Sequence, residues 1–118
     1  MNPYSLRWKV FLKVSKKENA VRILSKMEET FDRTILTSTC EKYWKDETLY
    51  EANFRISLDS KNITNTVFQS LLLSQKLGRN WYVLGPIETL PNKWSFEGIC
   101  NQPNFLSLNW ARFEIESK

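Results

Sequence analysis

The chain has 118 residues, 42% apolar and 25% charged, which describes one globular domain with a core large enough to need no staples. The formal net charge of +4 is uneven: residues 1–45 carry ten Lys/Arg against five Asp/Glu, residues 46–118 seven against eight. With no histidine, two cysteines and three glycines, the composition excludes His-based catalytic triads, His-containing or four-Cys zinc sites, and the P-loop and dinucleotide fingerprints.

From Leu6 to Val14, "LRWKVFLKV" alternates strictly. Leu6, Trp8, Val10, Leu12 and Val14 share one side, and Arg7, Lys9, Phe11 and Lys13 the other, which predicts a half-buried strand. Ser15 and Glu18 have the spacing of a capping box. Ala20, Ile23, Leu24, Met27 and Phe31 then recur at helical spacing and predict an amphipathic helix.

"RTILTSTCEKYW", Arg33 to Trp44, is β-branched and alternating, and predicts a second strand. Neither of its faces is purely apolar, so it should not be buried on both. "KDET" turns the chain, and "LYEANFRISL", Leu49 to Leu58, completes an antiparallel hairpin with Tyr50, Ala52, Phe54, Ile56 and Leu58 inward. "DSKN" supplies helix-start residues. The stripe Ile63, Val67, Phe68, Leu71, Leu72 and Gln75 predicts a second helix, ended by Gly78 in a left-handed C-terminal cap.

Three further strands follow, "WYVLGPIE", "KWSFEGIC" and "LNWARFEIE", divided by the breakers "TLPN" and "NQPN". In the last, Leu106, Leu108 and Trp110 keep one phase and Ala111, Phe113 and Ile115 continue one residue out of step, which predicts a bulge near Trp110. The order is β-α-β-β-α-β with two extra C-terminal strands. The fold expected is a single α+β domain over 1–118, ferredoxin-like, with one antiparallel sheet.

No apolar run is long enough to span a membrane, and "MNPYSLRWKV" has no apolar core of a secretory leader. The expectation is a cytoplasmic protein whose Cys40 and Cys100 are free thiols, with the sequon at Asn62 unused. The carboxylates Glu28-Glu29, Asp46-Glu47 and Glu114/Glu116 are the remaining candidates for acid/base work, and solvated charge is the better reading of each. A non-enzymatic domain without cofactor or metal is expected.

"EKYWKDETLYE" places an indole among alternating charges. Trp44 either folds back over the core or, with Tyr43 and ringed by Asp46, Glu47 and Glu51, has the make-up of a protein-interface hot spot, with the acids steering a basic partner; Trp94, after "TLPNK", invites the same argument less strongly. The rival is a single-stranded nucleic-acid binder using Arg7, Lys9, Phe11 and Lys13, since the element order is also that of the RNA-recognition motif. The third segment of that motif stacks bases on exposed aromatics, whereas here Tyr50 and Phe54 share the buried phase and Glu51 repels phosphate. A subunit whose open sheet edge pairs with itself is a third class.

A lone α/β domain of this size and style, from "LRWKVFLKVSKKENAVRILSKMEETF" through "NWARFEIESK", resembles the immunity proteins of bacterial contact-dependent inhibition and related polymorphic-toxin systems. The resemblance implies a cytoplasmic protein that binds one cognate toxin domain and blocks it. Immunity proteins against nuclease toxins are usually acidic and this chain is basic, so either Asp46, Glu47 and Glu51 do the blocking or the toxin surface is itself acidic.

Overall fold

A computed structural model describes residues 4–117. The elements run β1 (Tyr4–Leu12), α1 (Lys17–Phe31), β2 (Leu36–Lys42), β3 (Tyr50–Ser57), α2 (Ile63–Gln75), β4 (Tyr82–Leu90), β5 (Lys93–Cys100) and β6 (Leu108–Ser117). The strands form one sheet in the order β2-β3-β1-β6-β5-β4, with every neighbouring pair antiparallel.

Strand β1 lies near the middle because its alternation is the cleanest. Tyr4, Leu6, Trp8, Val10 and Leu12 are all buried, opposite Ile56, Phe54 and Ala52 of β3 on one side and Ile115, Phe113 and Ala111 of β6 on the other. Helix α1 covers this face with the five residues of its predicted stripe, Ala20, Ile23, Leu24, Met27 and Phe31. Leu73 and Leu77 join the same cluster from α2 and its C-terminal end. Burying both helices on one face leaves the other face of the sheet open, and that face carries the polar half of each alternation.

The ferredoxin-like arrangement is overturned by the strand order. In a split βαβ fold, β4 would return from α2 to lie beside β1; here β6 takes that place and β4 lies at the far edge, with β5 between them. The reason lies in the strands themselves. Ala111, Phe113 and Ile115 give β6 an apolar phase that matches Val10, Trp8 and Leu6 position for position. Strand β4 contains Gly85 and Pro86, where its register against β5 slips, and Pro cannot donate to a ladder, so such a strand belongs at an edge. All nine residues of β4 are exposed.

Helix α2 also departs from expectation. Its buried residues are Thr66, Ser70, Leu73 and Ser74, while Phe68 and Leu72 are exposed. The buried hydroxyls are satisfied within the helix: Thr66 Oγ1 donates to the Asn62 carbonyl at 2.8 Å, Ser70 Oγ to that of Thr66 at 2.7 Å, and Ser74 Oγ to that of Leu71 at 3.0 Å. Once bonded to the backbone they cost little to bury, and their small volume suits a closely packed face. Asn62 caps the helix by accepting from the Asn65 N–H at 2.8 Å. Gly78 is not left-handed. It is favoured by closeness instead, since a Cβ there would lie 3.1 Å from Cys100 Sγ and 3.2 Å from Pro103 Cα.

Two smaller differences concern the first helix and the last strand. The capping box fails because Lys16, not Ser15, occupies the N-cap and makes no side-chain bond. The bulge forms: Phe11 pairs with Trp110 and Leu12 with Leu108, leaving Asn109 as the extra residue. It turns Trp110 to the open face while Leu108 stays buried, so the two do not share a side as the phase had suggested.

Cys40 and Cys100 are buried free thiols on β2 and β5, four strand spacings or about 19 Å apart, far beyond disulfide reach. Burial pushes the Cys40 thiol up from its ordinary pKa, which keeps it in the unreactive form. Among the described residues, no helix is long and apolar enough to cross a membrane.

Candidate functional site

On the open face, the bulge and the β2–β3 turn bring four aromatic rings into a row. Phe11 is central, with its ring centroid 4.6 Å from that of Tyr43 and 5.2 Å from that of Trp110. Tyr43 lies 6.3 Å from Trp44 in an edge-on arrangement. The inner three are half-buried, but Trp44 is 81% exposed. The Lys45 ammonium sits 5.0 Å from the Trp44 ring centroid, a cation–π contact that favours one orientation of the indole without covering it.

The turn that presents Trp44 is built by its own polar groups. Asp46 Oδ1 accepts from the Thr48 N–H at 2.9 Å and from the Thr48 hydroxyl at 2.6 Å, while the Tyr43 N–H bonds to the Leu49 carbonyl at 2.9 Å. Both Thr48 bonds stabilise the charged form and hold the Asp46 carboxyl below its usual range. Asp46 is thus a turn-forming residue through its Oδ1, and its carboxylate stays charged and exposed at the turn. Glu47 stands exposed at the turn, and Glu51 faces the open side between Phe11 and Glu41.

Trp94 does not join this group. It shares the phase of Phe96, packs against the core on the helix-covered side, and lies toward the Tyr4 end of the sheet, whereas Trp44 follows the end where Lys42, Tyr50 and Leu12 pair. Its place as a second anchor is therefore corrected: a Trp after a turn was read as exposed, but the period of two puts it inward. Trp110 lies in the row instead. Its signal, the phase slip beside it, was visible in the residues, although its direction was not.

Beyond the aromatic row, the open face is a charge ladder. Arg7 is hydrogen-bonded and ion-paired to Glu114 and lies 3.5 Å from Glu116. Arg55 meets Glu116 at 2.9 Å, and Arg112 bridges Glu97 and Glu114 at 2.8 and 3.1 Å. Glu97 and Glu114 face each other directly across β5 and β6, so Arg112 neutralises a like-charge pair. Between β1, β2 and β3 the ladder borders a shallow open hollow of about 410 Å³ that includes Lys9, Thr39 and Asn53. Lys13 is exposed just past the end of β1. Of the predicted basic face, then, Phe11 belongs to the aromatic row and Arg7 is neutralised. Among the described residues, no three His, Cys, Asp or Glu side chains are grouped to hold a metal ion.

Burial pushes the Glu114 carboxyl up, but the Arg7 hydrogen bond and the charges of Arg112 and Arg7 outweigh it and hold the group below its ordinary value. A carboxylate depressed in the folded state stabilises above its unfolded pKa, and that contribution is lost as pH falls through the folded value. Glu114→Gln is therefore expected to lower stability at neutral pH and to flatten the acid limb of the stability curve below the ordinary glutamate pKa of about 4.3. Urea midpoints across that range measure it; an acid limb as steep as the parent's would show that the ladder is not coupled to folding.

The chain matches no protein-family model, no curated protein and no solved structure.

Proposed function

We propose that this chain is a non-catalytic protein-capture domain that docks its partner on the row Trp44, Tyr43, Phe11 and Trp110. The observation that carries the proposal is Trp44: an indole 81% exposed, at the end of a row of packed rings, on a turn closed by five hydrogen bonds. Large aromatics bury roughly 150–250 Å² each, and a pre-oriented one loses little freedom on docking, which is why interface hot spots favour Trp and Tyr. Glu47 and Glu51 beside the row supply steering toward a basic partner surface. Toxin neutralisation is the specific form implied by the resemblance to immunity proteins, with the partner's functional surface occluded and no turnover or cofactor involved.

Single-stranded nucleic acid is the second reading, and one observation favours it. Phe11, the aromatic of the basic strand-one face, stands in the same row, and rows of rings beside lysines can stack bases. Against it, Arg7 is already paired with Glu114 and Glu116, and Glu41 and Glu51 border the rings.

The two separate by salt and by mutation. Partner retained by the immobilised chain should resist elution by salt, and Trp44→Ala should weaken capture by about 2 kcal/mol, roughly 30-fold, with an unchanged melting curve. Unlabelled oligo(dT) or oligo(U) should bind weakly. Tight oligonucleotide binding with a steep salt slope would establish the second reading in its place. Undiminished capture by Trp44→Ala would remove the aromatic row as the site.

A further inference from the structure

The two edges of the sheet are built differently. Edge β2 is polar and carries Glu41 and Lys42, and charges on an edge discourage a strand from pairing with another chain. Edge β4, Tyr82–Leu90, carries a single formal charge, Glu88, in nine residues. Its exposed apolar side chains are far denser: Tyr82 is 74% exposed, Leu84 63% and Ile87 56%, with Val83 and Leu90 also exposed. Tyr82, Leu84 and Ile87 lie opposite Ile99, Glu97 and Ser95 of β5, so they project from the same open face and form one apolar strip.

We propose that this strip is covered by the same strip of a second copy, giving a two-fold symmetric dimer. Three features select a copy rather than another partner. With a single charged residue on the strand, the patch meets its own image with little like-charge opposition. In size, Tyr82, Leu84 and Ile87 expose on the order of 400 Å² per copy, and the backbone edge brings this toward the roughly 600 Å² per partner at the low end of specific interfaces. The apolar strip stands at only one of the two edges, so two-fold pairing closes the assembly, whereas pairing β4 with β2 would propagate into a filament. Pro86 offers no N–H to a neighbouring strand, so side-chain burial, rather than an unbroken ladder, holds the pair. The aromatic row lies toward the opposite edge, beside β2, and stays free in the dimer. The two proposals therefore stand or fall separately.

Sedimentation equilibrium of the full chain tests this at concentrations up to about 100 μM. The expected mass is twice the 14.0 kDa of one chain, falling to one chain in the double variant Leu84→Lys/Ile87→Lys. Both side chains are exposed, so the circular dichroism melt of the diluted variant should match that of the diluted parent. Trp44→Ala and Phe68→Glu should leave the dimer intact. A parent that stays monomeric over the whole range overturns the proposal, as does a dimer that survives the double variant or dissociates with Phe68→Glu. Growth beyond two copies would point to a head-to-tail contact and overturn it equally.

Discussion

Trp8→Ala is expected to lower folding stability by about 3–5 kcal/mol, much of the ~5–15 kcal/mol available to a domain of this size. Trp8 is fully buried on the central part of the sheet, and four rings converge on it. Phe31 of α1 lies 5.5 Å away, Phe54 of β3 6.0 Å, Trp81 5.8 Å and Phe113 of β6 5.5 Å, between ring centroids. One side chain thus joins the helix layer to three adjacent strands, and its removal leaves a cavity that none of these elements can fill without losing its own contacts. Trp8→Phe should cost much less. Trp8 Nε1 has no hydrogen-bond partner among the described residues, so the smaller ring also removes a buried orphan donor whose desolvation opposes folding. Urea titrations with unchanged m-values measure both variants. A loss below about 1 kcal/mol for Trp8→Ala would mean that the aromatic cluster is not the centre of the core.

Gly98→Ala is the second large effect, and a less intuitive one, because the substitution adds a single methyl group to a strand. A Cβ at Gly98 would lie 2.5 Å from Cε2 and 2.7 Å from Cζ of Phe113, its cross-strand neighbour. Real side chains do not approach so closely. The ring cannot swing aside, because Trp8, Trp81 and Phe96 enclose it at 5.5, 5.3 and 5.7 Å. Overpacking of this kind costs about 1–3 kcal/mol, despite the better strand propensity of Ala. Combining Gly98→Ala with Phe113→Leu should recover part of the loss, since the smaller side chain vacates the space the methyl needs. A double-mutant cycle by thermal melting reports that coupling, and strict additivity would show that the two positions do not compete for space.

Much of the local structure was legible before any coordinates. Strict alternation in "LRWKVFLKV" put Trp8 inside and Arg7 and Lys9 outside, and the 3.6-residue recurrence of Ala20, Ile23, Leu24, Met27 and Phe31 named the buried face of α1 without error. The phase slip after Trp110 announced the bulge. Each of these signals is carried by residues within a few positions of one another. The candidate site was half legible on the same terms. Tyr43 and Trp44 stood out against the charges of their turn, and Phe11 against those of its strand, but that they touch was not readable, because β3 lies between β2 and β1 in the sheet.

The errors share one cause. Phe68 and Leu72 were expected inside because apolarity was weighed by residue type, yet α2 buries Thr66, Ser70 and Ser74, whose hydroxyls bond to the helix's own carbonyls. Trp94 was expected outside because it follows a turn, yet its strand phase faces it inward. The ferredoxin-like order was expected because six elements arrived in that sequence, yet β6 outcompetes β4 for the place beside β1.

By itself, then, the amino-acid sequence determined which segments are strands and helices, which face of β1, α1 and β3 is apolar, and that no histidine is present for a triad or a zinc site. The tertiary structure alone decided the strand order, the inward face of α2, and the meeting of Phe11, Tyr43 and Trp110 in one row. The division follows from range. Periodicity is written by neighbours along the chain, whereas the choice between β4 and β6 beside β1 is a competition between segments about 70 to 110 residues away from that strand, settled by whole-strand complementarity that no short window contains.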